Sequence, residues 1–220
     1  ERALAAWPHA EFFQAYGLTE TAGAVCINLP ENHRSPAARA QGRLHSVGRA
    51  GLGAEILVVD ESGQPLPAGE VGEIVVTGPM VTRGYWNNPQ ATEGAFRDGW
   101  CRTGDAGRMD ADGYLFIVDR IKDMIITGGE NVYCAEVEGA LRSHPLVSQA
   151  AVIGLPDARW GETVHAVVVL AEGGQLSDEA LRAWCRERLA GYKCPRSLSY
   201  LSALPLSAAG HRAAAGMRIP

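Results

Sequence analysis

No two of the five cysteines, Cys26, Cys101, Cys134, Cys185 and Cys194, stand in a CxxC spacing. An odd, scattered set of this kind argues against a disulfide framework and a zinc site, and it fits a reduced, cytoplasmic setting. Long apolar runs are also missing: none reaches the ~18–20 residues that a membrane-spanning helix needs, and no charged-then-apolar segment opens the chain. Basic residues are in deficit, with Lys+Arg 20 against Asp+Glu 25 and a formal net charge of −5. Spread evenly, they form no stripe that would follow a phosphate backbone, so nucleic acid is not expected as a partner. His33, His45, His144 and His165 lack metal-ligand spacing and are read as structural or solvent-facing. The first residue is not Met, and ERALAAWPHAEFF starts in mid-pattern, which points to a piece of a longer polypeptide.

What is present is enough apolar sequence, in 220 residues, for two small cores. From Ala54 to Met80 the pattern is strand and turn: AEILVVD, the turn signals of ESGQPLPAGEVG, then EIVVTGP. A turn at DADG leads into another strand. Beyond Glu136 the pattern changes to an amphipathic helix, EVEGALRSHP, two strands, QAAVIGLPD and VHAVVVL, and a helix opened by Ser177. In that helix Leu181, Trp184, Cys185 and Leu189 fall at helical spacing, Asp178 and Glu179 occupy the favourable first turn, and Gly191 is expected to end it. The fold class expected is α/β in the broad α+β sense, with a β-rich unit over residues 1–118 and a small α/β unit over 119–220. The composition shifts at Asp119–Asp123.

Three stretches hold the residues suited to chemistry. AYGLTETAG places Tyr16, Gly17, Thr19 and Glu20 within five positions, offering an aromatic face for a base, a hydroxyl for a phosphate and a carboxylate for magnesium. WCRTGDAG reads as a second acidic turn, whose Asp105 can accept two hydrogen bonds from a ribose diol. In DRIKDMIITGGENVY, Arg120 carries a fork of donors suited to sugar or phosphate oxygens. Taken singly, each stretch is more often a solvated turn. Their order in one chain is what carries information.

With those motifs in sequence, the chain resembles the adenylate-forming superfamily of acyl- and aryl-CoA ligases, peptide adenylation domains and luciferases, and is most similar to fatty-acyl-CoA ligases. The resemblance runs through YGLTE, GEIVVTGPMVTRGYW, GWCRTGD, GYLFIVDRIKDMIITGGENVYCAEVE, GLPDARWGE and GYKCPR, covering residues 14–210. It implies that residues 1–118 are the β-rich end of a large AMP-binding domain and that residues 119–220 are a small mobile α/β domain. The implied substrates are ATP, a fatty acid and CoA, with Mg2+. Tyr16 would then pack on adenine beside Gly17, Thr19 would touch the α-phosphate, and Glu20 would hold magnesium. Asp105 and Arg120 would bind the ribose, with Ile117 lining that pocket. Lys122 matches the family's hinge, and Thr127, Gly128 and Gly129 its pantetheine tunnel, where glycine lets backbone lie close to a narrow ligand. Trp160, Tyr192 and Arg196 stand where relatives contact the nucleotide end of CoA. Ala22, Gly23 and Val25 would line the acyl pocket, and TGPMVTRGYW would be structural.

Two departures qualify the resemblance. The family's phosphate loop is not found in these residues, so the chain by itself is expected not to form acyl-adenylate. In the tail, LPLSAAGHRAAAGMRIP puts His211 where relatives carry a lysine. An imidazole with an ordinary pKa near 6.5 is mostly neutral at pH 7, so a weaker adenylation step is expected. An aryl-CoA ligase, a luciferase-like enzyme and a degenerate nucleotide-binding or interaction module remain the alternative readings.

Overall fold

Alternating β-branched residues organise the first half of the chain. The computed structural model describes residues 1–205, so His211 lies outside the described residues. Packing divides the chain into two compact units, Glu1–Val118 and Asp119–Pro220. The first carries an antiparallel hairpin, β1 (Gln14–Leu18) and β2 (Gly23–Asn28), extended by the short β3 (Arg49–Ala50). Its larger sheet runs β4 (Glu55–Val59), β5 (Gly72–Thr77), β7 (Trp100–Met109), β6 (Phe96–Arg97), all antiparallel, with β8 (Leu115–Arg120) also on β7. Period-two alternation sends Ile56 and Val58 of β4 and Ile74 and Val76 of β5 to one face, where they pack with Val25, Val47 and Leu115.

Four short helices fill the connections: α1 (Arg2–Ala6), α2 (Pro30–Arg34), α3 (Pro36–Ala40) and α4 (Pro89–Ala95). They are too short for an apolar stripe to betray them in the sequence. Local chemistry starts them instead, with proline in the first turn of α2, α3 and α4 and side-chain caps from Ser35 and Asn88.

The segment expected as an acidic turn, Trp100–Gly107, is most of the ten-residue strand β7. The register explains why its composition misleads. Glu73 pairs with Ala106 and Val75 with Arg102, so Thr103, Gly104 and Asp105 all stand opposite Ile74. This bulge takes Gly104 to φ +70°, and Thr103 Oγ1 bridges it by donating to Ile74 O (2.8 Å) and accepting from Asp105 N–H (3.1 Å).

The second unit is one sheet in the order β10 (Glu130–Val132), β9 (Ile125–Thr127), β12 (Gly161–Leu170), β11 (Val147–Asp157), with β13 (Ser197–Tyr200) parallel to β12. All other pairings are antiparallel, which makes the unit α+β. Helices α5 (Cys134–Arg142) and α6 (Asp178–Arg186) bury Val137, Leu141, Leu181 and Cys185 against Val152, Val164, Ala166 and Val168. Helix α5 begins two residues before the expected Glu136, because Asp119 Oδ2 accepts the Ala135 N–H at 3.0 Å and Cys134 Sγ bonds Asp123 O at 2.8 Å. Ser177 caps α6 through the Ala180 N–H. That helix stops at Arg186 rather than reaching Gly191: the Arg188 and Leu189 N–H groups both turn onto Cys185 O, and the last turn tightens.

His165 of β12 is 3% exposed, its Nδ1 lies 2.7 Å from Ser197 Oγ, and its Nε2 finds no partner among the described residues. Burial lowers its pKa below the ordinary 6.5. The folded chain therefore holds it neutral while the unfolded chain takes up a proton below that pH, so its contribution to stability is present above 6.5 and lost on acidification. Melting temperature should fall between about pH 7.5 and about pH 5.5, and His165→Gln should flatten the fall. An unchanged slope in that variant would contradict the assignment.

Candidate functional site

The β1–β2 hairpin is built to hold Tyr16, Thr19 and Glu20. The β1–β2 register shifts between Tyr16 and Gly17, and a Cβ on Gly17 would lie 1.9 Å from Gly23 O, so only glycine lets the two backbones approach this closely. Thr21, 1% exposed, knots the turn: its Oγ1 accepts from Leu18 N–H (2.9 Å) and lies within reach of the carbonyls of Leu18 (3.0 Å) and Gly23 (2.8 Å). Thr19 is left exposed and Glu20 half-buried. The turn that carries them follows directly on strand β1. Of the three proposed acyl-pocket residues, Val25 is 1% exposed within the core, and only Ala22 and Gly23 face solvent.

Tyr16 and Asp105 meet although they are 89 residues apart in sequence: the Tyr16 hydroxyl donates to Asp105 Oδ2 at 2.7 Å. Burial, then this hydrogen bond, pushes the Tyr16 hydroxyl far above its ordinary range, so it remains a donor. The bulge in β7 aims Asp105 at it, with the aspartate 6% exposed. Ile117 and the Tyr16 ring pack against the same apolar cluster. Base-stacking, ribose and pocket-lining candidates are thus gathered on one side of the first unit.

A residue passed over in the sequence completes this arrangement. Tyr85, in the TGPMVTRGYW stretch read as structural, donates its hydroxyl to Glu20 Oε1 at 2.5 Å. That hydrogen bond, with burial, pushes Tyr85 up to about 12. No spacing rule links positions 20 and 85, so only the folded chain reveals the pair.

In the second unit, Arg120 is exposed, with its N–H held by Asp119 Oδ1 at 2.8 Å. Lys122 is exposed in a single 3-10 turn, Ile121–Asp123, and borders a shallow pocket with Ile125, Ile153, Gly154 and Glu162. Thr127 is buried, whereas Gly128 and Gly129, at φ +61° and +85°, form the tight β9–β10 turn. The Gly128 N–H donates to Trp160 O at 2.8 Å, and a Cβ on Gly128 would sit 2.9 Å from the indole. Arg196 lies over the Trp160 ring at 4.6 Å, joined by Arg159 at 4.7 Å, a residue the sequence reading quoted without assigning. Gly128, Trp160, Arg159 and Arg196 therefore cluster. Tyr192 is exposed, with Lys193 over its ring.

Among the described residues no group of three or more His, Cys, Asp or Glu is arranged to hold a metal ion, and no helix is long and apolar enough to cross a membrane. A single carboxylate such as Glu20, sharing a cation with phosphate oxygens, is compatible with the first observation.

Comparison with known proteins finds two family matches. The AMP-binding enzyme family matches residues 1–86, and the AMP-binding enzyme C-terminal domain matches residues 136–211. A feruloyl-CoA synthase of an Amycolatopsis species is 47% identical over 199 residues, 90% of this chain and 39% of that protein. A medium/long-chain-fatty-acid–CoA ligase of Mycobacterium tuberculosis is 42% identical over 206 residues, 90% of this chain and 35% of that protein. The solved o-succinylbenzoate CoA synthetase of Bacillus subtilis, in complex with its acyl-adenylate intermediate, superposes with a TM-score of 0.85 at 39% identity, covering 94% of this chain and 41% of that one. The chain thus spans about two fifths of the length of these relatives. Two family matches in the expected order, on a fold shared with a solved adenylate-forming enzyme, place the chain in the AMP-binding enzyme family.

Proposed function

We propose that the protein is an AMP-forming acid–thiol ligase, which activates a carboxylic acid with ATP and passes the acyl group to CoA. The observation that carries this reading is the Tyr16–Asp105 hydrogen bond, which brings YGLTE and RTGD to one place. Tyr16 offers its ring face to adenine, and Asp105, anchored by the Tyr16 hydroxyl, presents a carboxylate suited to ribose hydroxyls. Thr19 is exposed and able to donate to an α-phosphate oxygen. Glu20 fits magnesium, because Tyr85 occupies Oε1 while Oε2 makes no hydrogen bond among the described residues, leaving a hard oxygen ligand. Bound magnesium would offset phosphate charge as the acid's carboxylate attacks the α-phosphorus and pyrophosphate leaves.

In the second step the CoA thiol attacks the acyl carbon and AMP departs. Lys122 is the pivot that prepares it, and the Gly128–Gly129 turn lies along the pantetheine arm. Arg159 and Arg196, stacked over Trp160, supply charge for the phosphates at the nucleotide end of CoA. Arg159→Ala and Arg196→Ala are each expected to raise the KM for CoA about tenfold while acid-dependent ATP–pyrophosphate exchange stays unchanged. Equal losses in both steps would contradict their placement.

A fatty acid is the first reading of the acid. An aromatic acid is the second, favoured by the feruloyl-CoA synthase at 47% identity against 42% for the fatty-acid ligase. Assaying the full-length protein for thioester formation and AMP release, with ferulate and fatty acids of graded length, tests both. ATP cleavage to ADP, or no acid-dependent turnover with any of them, would refute the reading.

A further inference from the structure

We infer that Tyr85 is a positioning residue for the cation–nucleotide complex, holding the Glu20 carboxylate in the one orientation that leaves Oε2 to a divalent metal. This rests on the reading of Glu20 given above. The Tyr85 hydroxyl lies 2.5 Å from Glu20 Oε1, and the two chain segments are tied a second time by the Thr82 N–H, which donates to Glu20 O at 2.8 Å. A glutamate side chain otherwise loses rotamer freedom when it binds a ligand, and a fixed partner removes part of that cost in advance.

Tyr85 is itself held from several sides. Its N–H donates to Thr92 Oγ1 at 2.9 Å, and Thr92 Oγ1 donates in turn to Asn88 O at 2.8 Å, at the start of α4. Its ring meets Phe96 edge-on, with centroids 5.7 Å apart. The preceding Gly84 sits at φ +145° with no room for a Cβ, which would fall 2.4 Å from Thr92 Cγ2. A tyrosine that only covered a surface would need none of this. Helix α4 and β6 thus act as a bracket whose working end is one phenolic hydroxyl, delivered to a carboxylate on the hairpin turn.

The test uses Tyr85→Phe, which keeps the ring against Phe96 and deletes only the donor, with Glu20→Gln as the reference. The affinity of the full-length protein for Mn2+ in the presence of a non-hydrolysable ATP analogue is read by electron paramagnetic resonance, alongside melting temperature. Removing a hydrogen bond that orients a metal ligand commonly costs 10–100-fold in affinity, so Y85F should weaken Mn2+ binding about tenfold with little change in melting temperature. The half-saturating Mg2+ concentration for pyrophosphate exchange should rise in parallel, and the KM for CoA should not move. Unchanged Mn2+ affinity in Y85F overturns the proposal. E20Q then locates the failure: a loss there leaves the metal at Glu20 and removes Tyr85 from its support, whereas no loss there means that Glu20 is not the ligand.

Discussion

Replacing Lys122 with proline is expected to leave acyl-adenylate formation near normal and to cut thioester formation by about 10²-fold, the scale on which a displacement of about 1 Å far from the chemistry acts. The local structure accommodates the substitution. Lys122 is exposed, and the hydrogen bond of its 3-10 turn runs from Met124 N–H to Ile121 O at 3.2 Å, so the Lys122 N–H is not the donor. Backbone in such a turn has φ of about −50 to −70°, close to the −65° at which proline is fixed. Proline also pushes Ile121 toward extended backbone, a local cost that melting temperature registers separately. What proline removes is rotation. Lys122→Ala is the control: it discards the charge but keeps the rotation, and both half-reactions should stay within about twofold of the native protein. If K122P lowers both steps equally, or neither, the pivot is not at this residue.

Asp105→Ala should weaken nucleotide binding by about 10²-fold, the equivalent of losing one or two hydrogen bonds to a charged acceptor. It should also destabilise the fold by about 1–3 kcal/mol, because the Tyr16 hydroxyl loses its acceptor in a largely buried setting. Asp105→Asn separates the two effects. The amide oxygen can still accept from Tyr16, so stability should largely return, while the lost charge and the altered donor pattern keep ribose binding weak. Calorimetric titration with ATP, paired with thermal unfolding of both variants, reads the separation. An asparagine variant that binds ATP as the native protein does would remove Asp105 from the ribose.

The strands legible in the sequence were those whose composition agrees with their environment. AEILVVD and VHAVVVL are β-branched runs bounded by turn residues, and they became β4 and β12. Ser177 capped α6 because its oxygen lies where the Ala180 N–H needs an acceptor. Trp100–Gly107 misled because its glycine and polar residues suit a bulge as well as they suit a turn, and a bulge is defined by the partner strand. The same limit hid the Tyr16–Asp105 and Glu20–Tyr85 bonds, whose members come from different elements. Motif order pointed to the chemistry of YGLTE and RTGD, but not to the hydroxyl groups that hold their carboxylates.

The most direct test of the account follows one atom. Full-length protein is incubated with ATP, magnesium, CoA and an accepted carboxylic acid labelled with heavy oxygen in its carboxylate, and the products are weighed by mass spectrometry. Attack of the carboxylate on the α-phosphorus, followed by cleavage of the acyl–oxygen bond by the thiol, should leave one labelled oxygen in AMP and none in pyrophosphate. Label in inorganic phosphate with release of ADP, or acyl-CoA formed beside unlabelled AMP, would contradict it.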